Sequence, residues 1–574
     1  MLMAKAKDPA FWANARQDPA YQELVGWVTR AYKERYEEVV PSLSYRARMR
    51  YYKDGDRSEF EARYFRRRNC LASTALLALL YPEEPTYLEQ TQELIWIICE
   101  EFSWVLPAHC ENTLESAAET IDLFSAETAF TLAEIDYVLA DRLDANVRAR
   151  IRQQVEARIL RNMETHTYFW ETNTSNWSAV CAGNTGGALM YLFPEAFDKM
   201  LPRFIGAMES LMRGFPEDGT CTEGFGYWHY GFGNYIWFAD LLCQYTDGKI
   251  DLLAVPKAAK VAGYAARSLL RGNTTVSFAD GTMHGVISRT IQCYLAHRFP
   301  QDVSLLPAGM MEYNGINVHW MNYLRSFCYL EYEAFAEELV LKDHFLPDAQ
   351  QVTFNRAKYS LAAKAGHNEE HHNHNDVGCF ILATEKGQVF CDLGSGRYTR
   401  QYFQRPGRYE IFCNGSQGHS VPIVNGTYQK EGEQHHGSIA VDGDCITLEL
   451  AGAYEAGTIE KLTRRIEALE NGIRLTDTFS AFQTLTERFV TMTEPEVFAN
   501  RIVVEDVTLY FDPAVSSVSV QEVVHLTHGT EQTTRTGKKT VGGGYAVGEV
   551  PVWCIDFAIA PGTESVEFRF EIME

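Results

Sequence analysis

His372-Asn373-His374-Asn375-Asp376, running into Val377-Gly378-Cys379-Phe380-Ile381-Leu382-Ala383, is the stretch on which the fold turns. In an extended backbone, imidazoles at i and i+2 point to one face, so His372 and His374 can share a site. The apolar run behind them reads as a buried strand, and Lys386-Gly387 returns the chain through residues 388–391 to Asp392. That hairpin brings a carboxylate beside His374, and His419 in Gly418-His419-Ser420 offers a third ligand. Two imidazoles and one carboxylate with an open position suit Zn²⁺ or a similar divalent ion. A polar, solvated loop has the same spacing, and His435 and His436 read as surface residues of that kind.

Outward from this segment the two halves of the chain have different periods. After Leu346-Pro347-Asp348, short β-rich stretches are bounded by turn residues, with Asn471-Gly472 between residues 464–469 and 473–478 as a strong hairpin signal. Residues 507–511, 552–558 and 566–572 continue the pattern, so 353–574 reads as an antiparallel β-sandwich. Before the boundary, segments such as 87–102, 114–139, 145–161, 194–212, 235–245 and 254–270 carry apolar residues at i, i+3, i+4 and i+7. Residues 1–345 therefore predict a long helical array with almost no strand, and without the self-similarity of a solenoid. The boundary falls within 343–355.

Composition narrows the partners. Of 574 residues, 52 are Lys or Arg and 76 are Asp or Glu, and a net charge of -24 repels polyphosphate backbones. Nucleic acid is a poor ligand, and an anionic ligand has to meet local basic groups. The longest apolar run, residues 70–81, is too short to span a bilayer, so no membrane partner is expected. The first residues lack the apolar stretch of a secretory signal, and thirteen cysteines without a C-x-x-C pair read as free thiols in a reducing compartment. The expectation is a cytoplasmic protein; a homodimer is open.

Three further constellations bear on function. Asp218-Gly219-Thr220-Cys221-Thr222-Glu223-Gly224-Phe225-Gly226-Tyr227-Trp228-His229-Tyr230 is a loop entering a helix, with Tyr227 and Tyr230 on one face at i, i+3. It reads as a sugar platform with proton-transfer groups, or as an aromatic helix start packed into the core. Asn173-Thr174-Ser175-Asn176-Trp177-Ser178 offers amide donors for a carboxylate, or a helix N-cap. Arginines cluster at 46, 48, 50, 63, 66, 67 and 68, and again at 397, 400, 405 and 408. Guanidinium groups bind carboxylates and sulfates bidentately.

Together these pieces resemble the heparinase II/III-like polysaccharide lyases, a resemblance that covers most of the chain. It implies an N-terminal (α/α) toroid or incomplete barrel followed by an antiparallel β-sandwich, with the active site at their junction. It implies a structural zinc ion whose ligands map to His374, Asp392 and His419, while His372 faces the site. The family's Tyr maps to Tyr227, with Tyr230 as the alternative, and its carboxylate-neutralising Asn to Asn176. Trp177 stands where many members have a catalytic His. Arg408-Tyr409-Glu410-Ile411 resembles a sandwich loop that would bring Tyr409 to the cleft. Asn173, Trp177, Glu223, Trp228, His229, Arg405 and Arg408 complete the expected contacts with an anionic oligo- or polysaccharide.

The implied chemistry is β-elimination at a uronate, in which the enzyme stabilises charge spreading onto the C6 carboxylate while a base removes the C5 proton and an acid protonates O4. With Trp177 in the histidine position, the expectation is a preference for uronates whose C5–H and O4 lie on one side, with Tyr227 as both base and acid. Glucuronate-type glycosaminoglycans come first and alginate next, and the lack of a signal favours short oligosaccharides and exo action. Two other readings are a glycoside hydrolase using Asp218 and Glu223, and a non-catalytic carbohydrate-binding protein stapled by zinc.

Overall fold

The computed structural model describes residues 2–36, 40–313, 319–405, 407–527 and 548–573. The helical half is built around helix Trp177–Leu192, which packs on Leu123–Leu139, Pro194–Gly214 and Gly233–Tyr245. Its Ala-Gly-Gly-rich sequence explains this central place: it is buried on nearly every side, and Gly186 and Gly187 lie too close to Phe238 and Phe130 for a Cβ. The apolar stripes of the surrounding helices meet in one core that runs from Met3 to Cys328. Short pairings at Leu269–Leu270 with Thr274–Thr275, and at Ile287–Ser288 with Met311–Glu312, add small ribbons the helical periodicity did not signal.

From His344 onward the chain is sheet-rich. A nine-stranded antiparallel sheet has Ser565–Ile572, Gly472–Phe479 and Leu462–Leu469 at its centre. It faces a five-stranded sheet, in which Phe380–Thr384 pairs with Ser360–Lys364 and Gly387–Phe390, and a four-stranded sheet of Ile423–Val424, Leu485–Thr491, Gly548–Ile559 and Ser516–Thr527. Phe380, Phe390, Phe489, Phe557, Phe568 and Phe570 interlock between the layers in edge-to-face and tilted contacts. The expected succession, helical toroid then antiparallel sandwich, is the observed architecture. All thirteen cysteines are free thiols. No described helix is long and apolar enough to cross a membrane.

What positions the site is the seam between the halves. The Asp280-Gly281 turn of the helical half is clasped between Gly224 (φ 108°) and Gly394 (φ 63°), and a Cβ on Gly224 would lie 2.7 Å from Gly281 N. Only glycine combines that backbone conformation with so close an approach. Ser395 N donates to Gly281 O at 3.0 Å, so the loop after Asp392 is tied to the same turn. Asp218 joins the halves elsewhere: its carboxylate accepts from Asp348 N and Ala349 N at 3.0 and 2.9 Å.

Candidate functional site

Along this seam lies a cavity of about 660 Å³, bordered by Asn176, Trp177, Tyr227, His229 and Tyr230 from the helical half and by His372, Tyr398 and Phe403 from the sandwich. The segment carrying His372 and His374 is not an extended strand. Residues 369–378 form turns, His372 takes φ 59°, and the strand begins only at Phe380. The two imidazoles nonetheless converge, because both bind one carboxylate. His372 Nδ1 is 2.6 Å from Asp280 Oδ2, and His374 Nε2 is 2.9 Å from Asp280 Oδ1.

Asp280 is fully buried and collects further partners. The Tyr402 hydroxyl donates to it, the Tyr398 hydroxyl donates to it at 3.3 Å, and Arg408 Nη2 stands 3.6 Å away. Burial opposes its charge, but Arg408 and the two histidines prevail and hold the carboxyl well below its ordinary range. The same burial and the same carboxylate push the phenols of Tyr398 and Tyr402 up.

Tyr227 stacks on the His372 ring with centroids 3.9 Å apart, and its hydroxyl lies 2.6 Å from that of Tyr398. Burial, reinforced by Asp280, raises the Tyr227 phenol above its ordinary value, so the resting group is a neutral acid. The Asn176 amide borders the cavity; its Nδ2 donates to Glu223 Oε2 at 2.6 Å and its backbone N to Oε1 at 3.1 Å. Glu223 Oε2 is also 3.7 Å from His372 Nε2. Tyr230 donates to Glu127 at 2.6 Å on the cavity wall. His229 borders the cavity with a sealed Nε2 that has no partner among the described residues, and burial lowers its pKa to about 4.

Other expected contacts lie elsewhere. Trp228 is a core residue, 1% exposed, with Nε1 donating to Val261 O. Asn173 shapes the turn before the helix, its Oδ1 accepting from Ser175 N. Arg408 is turned inward, bonded to the carbonyls of Asn373 and Tyr402, and Arg405 pairs with Glu369 on the surface. Neither borders the cavity, nor does Tyr409, whose hydroxyl accepts from Asn373 Nδ2 at 3.4 Å. Asp218, committed to the linker and to Thr220, is outside the cavity as well, and Glu223, held by Asn176, does not border it either, which leaves the two-carboxylate hydrolase without its pair on the cavity wall.

Behind His372, His374 and His419 each offer one ring nitrogen and Asp392 a carboxylate oxygen, three ligand atoms within 4.8 Å of one another on buried residues. The residues fit a divalent metal. His374 Nδ1 is a buried nitrogen with no hydrogen-bond partner among the described residues, while its Nε2 is held by Asp280. His419 Nδ1 faces Asp392 Oδ2 at 3.0 Å, and its Nε2 is 2.8 Å from Cys413 O. A carboxylate or carbonyl behind each imidazole is the outer arrangement that orients metal-binding histidines. Burial lowers the His374 pKa, favouring the neutral ring a metal requires.

Asp280, Tyr398 and Tyr402 were not singled out from the sequence. The Ala279-Asp280-Gly281 turn was the available signal for the first, and it resembles many surface turns. A second unsignalled feature is His109, which borders the cavity edge-on to Trp177 at 5.0 Å and is held by the buried Asp122 at 2.7 Å. His525 is a third: buried on strand Ser516–Thr527, it feels both His374 and Asp392.

No protein-family model and no curated protein matches this chain. Solved structures do. The chain is similar to heparinase III, with a TM-score of 0.61 at 12% identity over 96% of this chain and 89% of that one. It is similar to the heparan sulfate lyase HepC from Pedobacter heparinus, with a TM-score of 0.56 at 11% identity over 97% and 84%. The chondroitin AC lyase of Streptomyces coelicolor A3, solved with chondroitin sulphate, gives 0.53 at 9% identity over 99% and 82%. At these identities the likeness establishes the fold.

Proposed function

We propose that the chain is a polysaccharide lyase that cleaves a uronate-containing glycan by β-elimination, with glucuronate-type glycosaminoglycans as the first substrate class and alginate next. The observation that carries this reading is the stacked Tyr227–His372 pair, with Asp280 behind the imidazole, set in a seam cavity. The shared fold with three lyases supports it.

Asp280 accepts the His372 Nδ1–H, which leaves Nε2 as the basic nitrogen. His372 then takes the C5 proton, and the neutral Tyr227 phenol protonates the departing O4. This divides the two roles that the sequence reading gave to Tyr227 alone. Both groups belong to one wall, so removal and delivery occur on the same side of the sugar, as in D-glucuronate or D-mannuronate. The Asn176 amide has two N–H donors, and one remains for the substrate carboxylate after Glu223 takes the other. Zn²⁺ held by His374, Asp392 and His419 would tie down the loop that carries His372.

Incubation with hyaluronan, chondroitin, heparosan, alginate and glucuronan tests the reading. Unsaturated ends, seen by ultraviolet absorbance of the conjugated C4=C5 bond and by mass, are expected. Products heavier by one water would show hydrolysis instead, and no product from any of these glycans would sink it.

A further inference from the structure

Tyr398 lies on the loop after Asp392, its ring packed against Tyr402 and Phe403 with centroids 4.8 and 4.9 Å away. Its hydroxyl is within hydrogen-bond reach of two acceptors, Tyr227 Oη at 2.6 Å and Asp280 Oδ2 at 3.3 Å. Resting on the reading above, we propose that Tyr398 is a positioning residue that donates its O–H to the Tyr227 oxygen as that oxygen becomes a phenolate.

The step balances without any added reactant. His372 Nε2 takes the C5 proton, and the C5–H electron pair becomes the second bond between C4 and C5. The C4–O4 pair leaves with O4, which takes the Tyr227 proton, so the negative charge is left on the Tyr227 oxygen. In the neutral site the single Tyr398 proton is directed at Asp280. Rotation about one C–O bond turns it to Tyr227 and places a donor where charge has just developed. Asp280 is not left bare, because His372, His374 and Tyr402 remain on it. Return of the His372 proton to Tyr227 through water resets the pair. Burial and Asp280 act against a Tyr227 phenolate, and the hydrogen bond from Tyr398 acts in its favour, as does Arg57.

A double-mutant cycle on the full-length protein tests this. Tyr398→Phe keeps the ring between Tyr402 and Phe403 and removes only the hydroxyl. It is expected to lower kcat roughly 10- to 100-fold with KM within about threefold. In a Tyr227→Phe background the same change should cost less than about twofold, because its route of action is gone. Equal losses in both backgrounds, or full kcat in Tyr398→Phe, would overturn the proposal. Should the Phe variant lose its circular-dichroism spectrum, 3-fluorotyrosine at 398, a stronger donor of nearly the same size, takes its place. It is expected to change kcat by about twofold or more at constant KM, and unchanged kcat overturns the proposal. A wild-type protein that releases no unsaturated product overturns the underlying reading together with this one. An active wild type with equal losses overturns this one alone.

Discussion

The ring of Tyr227 lies on the imidazole of His372, with centroids 3.9 Å apart and planes 26° from parallel. One ring comes from the helical half and the other from the sandwich, so the pair exists only when the two halves are docked. Its members have different tasks in the proposed reaction, and their removal should be felt in turnover. Tyr227→Phe and His372→Ala are each expected to lower kcat by about 10³-fold or more on the best uronate substrate, with KM changed by only a few fold. Steady-state kinetics read by the unsaturated product check this, and a tenfold drop or less in either variant would remove that residue from the chemistry.

Asp280 sets the tautomer of His372 from the far side of the ring. Asp280→Asn preserves the shape but presents an amide that can donate where an acceptor is required, so kcat should fall by about 10³-fold. The experiment pairs kinetics with ¹⁵N chemical shifts of the His372 ring. The expected result is loss of rate together with a changed tautomer, and loss of rate with the tautomer unchanged would refute this route.

The His374, Asp392 and His419 group predicts a resident divalent ion. Elemental analysis of the purified protein should find zinc in roughly equimolar amount, and His374→Ala or Asp392→Asn should lose it. Chelation should lower the melting temperature by several degrees. Full metal content in both variants would place the ion elsewhere.

In the proposed reaction Tyr227 and His372 act from one wall, so D-glucuronate or D-mannuronate linkages should be cleaved at least about 100-fold faster than L-iduronate or L-guluronate linkages. Comparison of polymannuronate with polyguluronate, and of heparosan with an iduronate-rich analogue, measures the ratio. Equal rates would require a second proton-transfer group on the opposite side, for which His109 beside Trp177 is the first residue to replace.

Burial lowers the His229 pKa to about 4, below its value of about 6.5 in an unfolded chain. Between those two values the unfolded chain binds the extra proton, so this residue makes stability rise with pH through that window and fall as pH drops through it. The melting temperature of wild type should decline between pH 7 and pH 5, and His229→Gln should shrink that decline by a few degrees. An identical decline in the variant would contradict the assignment.

The two halves were legible in the sequence because their signals are local. Apolar spacing at i, i+3, i+4 and i+7 and turn residues such as Asn471-Gly472 act within a few positions, and most became helix or hairpin as read, although 114–139 divides into Leu114–Glu119 and Leu123–Leu139, and 254–270 into two short helices and the strand Leu269–Leu270. The metal group was legible in part: one hairpin returns the chain to Asp392 beside the start of strand Phe380–Thr384, while His374 reaches the carboxylate from the turn segment ahead of that strand. Tyr227 and His372 were visible as residue types in unusual loops.

What only the tertiary structure decided is which groups meet across the seam and which are used up elsewhere. Asp280 stands 92 positions from His372 and belongs to the other half, and no periodicity encodes that approach. The Tyr398–Tyr227 contact spans 171 positions and arises from the same docking. Conversely, Arg408 and Trp228 carry side chains suited to a sugar site, but the folded chain spends them on backbone carbonyls in the interior. A side chain's chemistry is written at its own position, whereas its availability depends on partners distant in the chain, and those are set by packing.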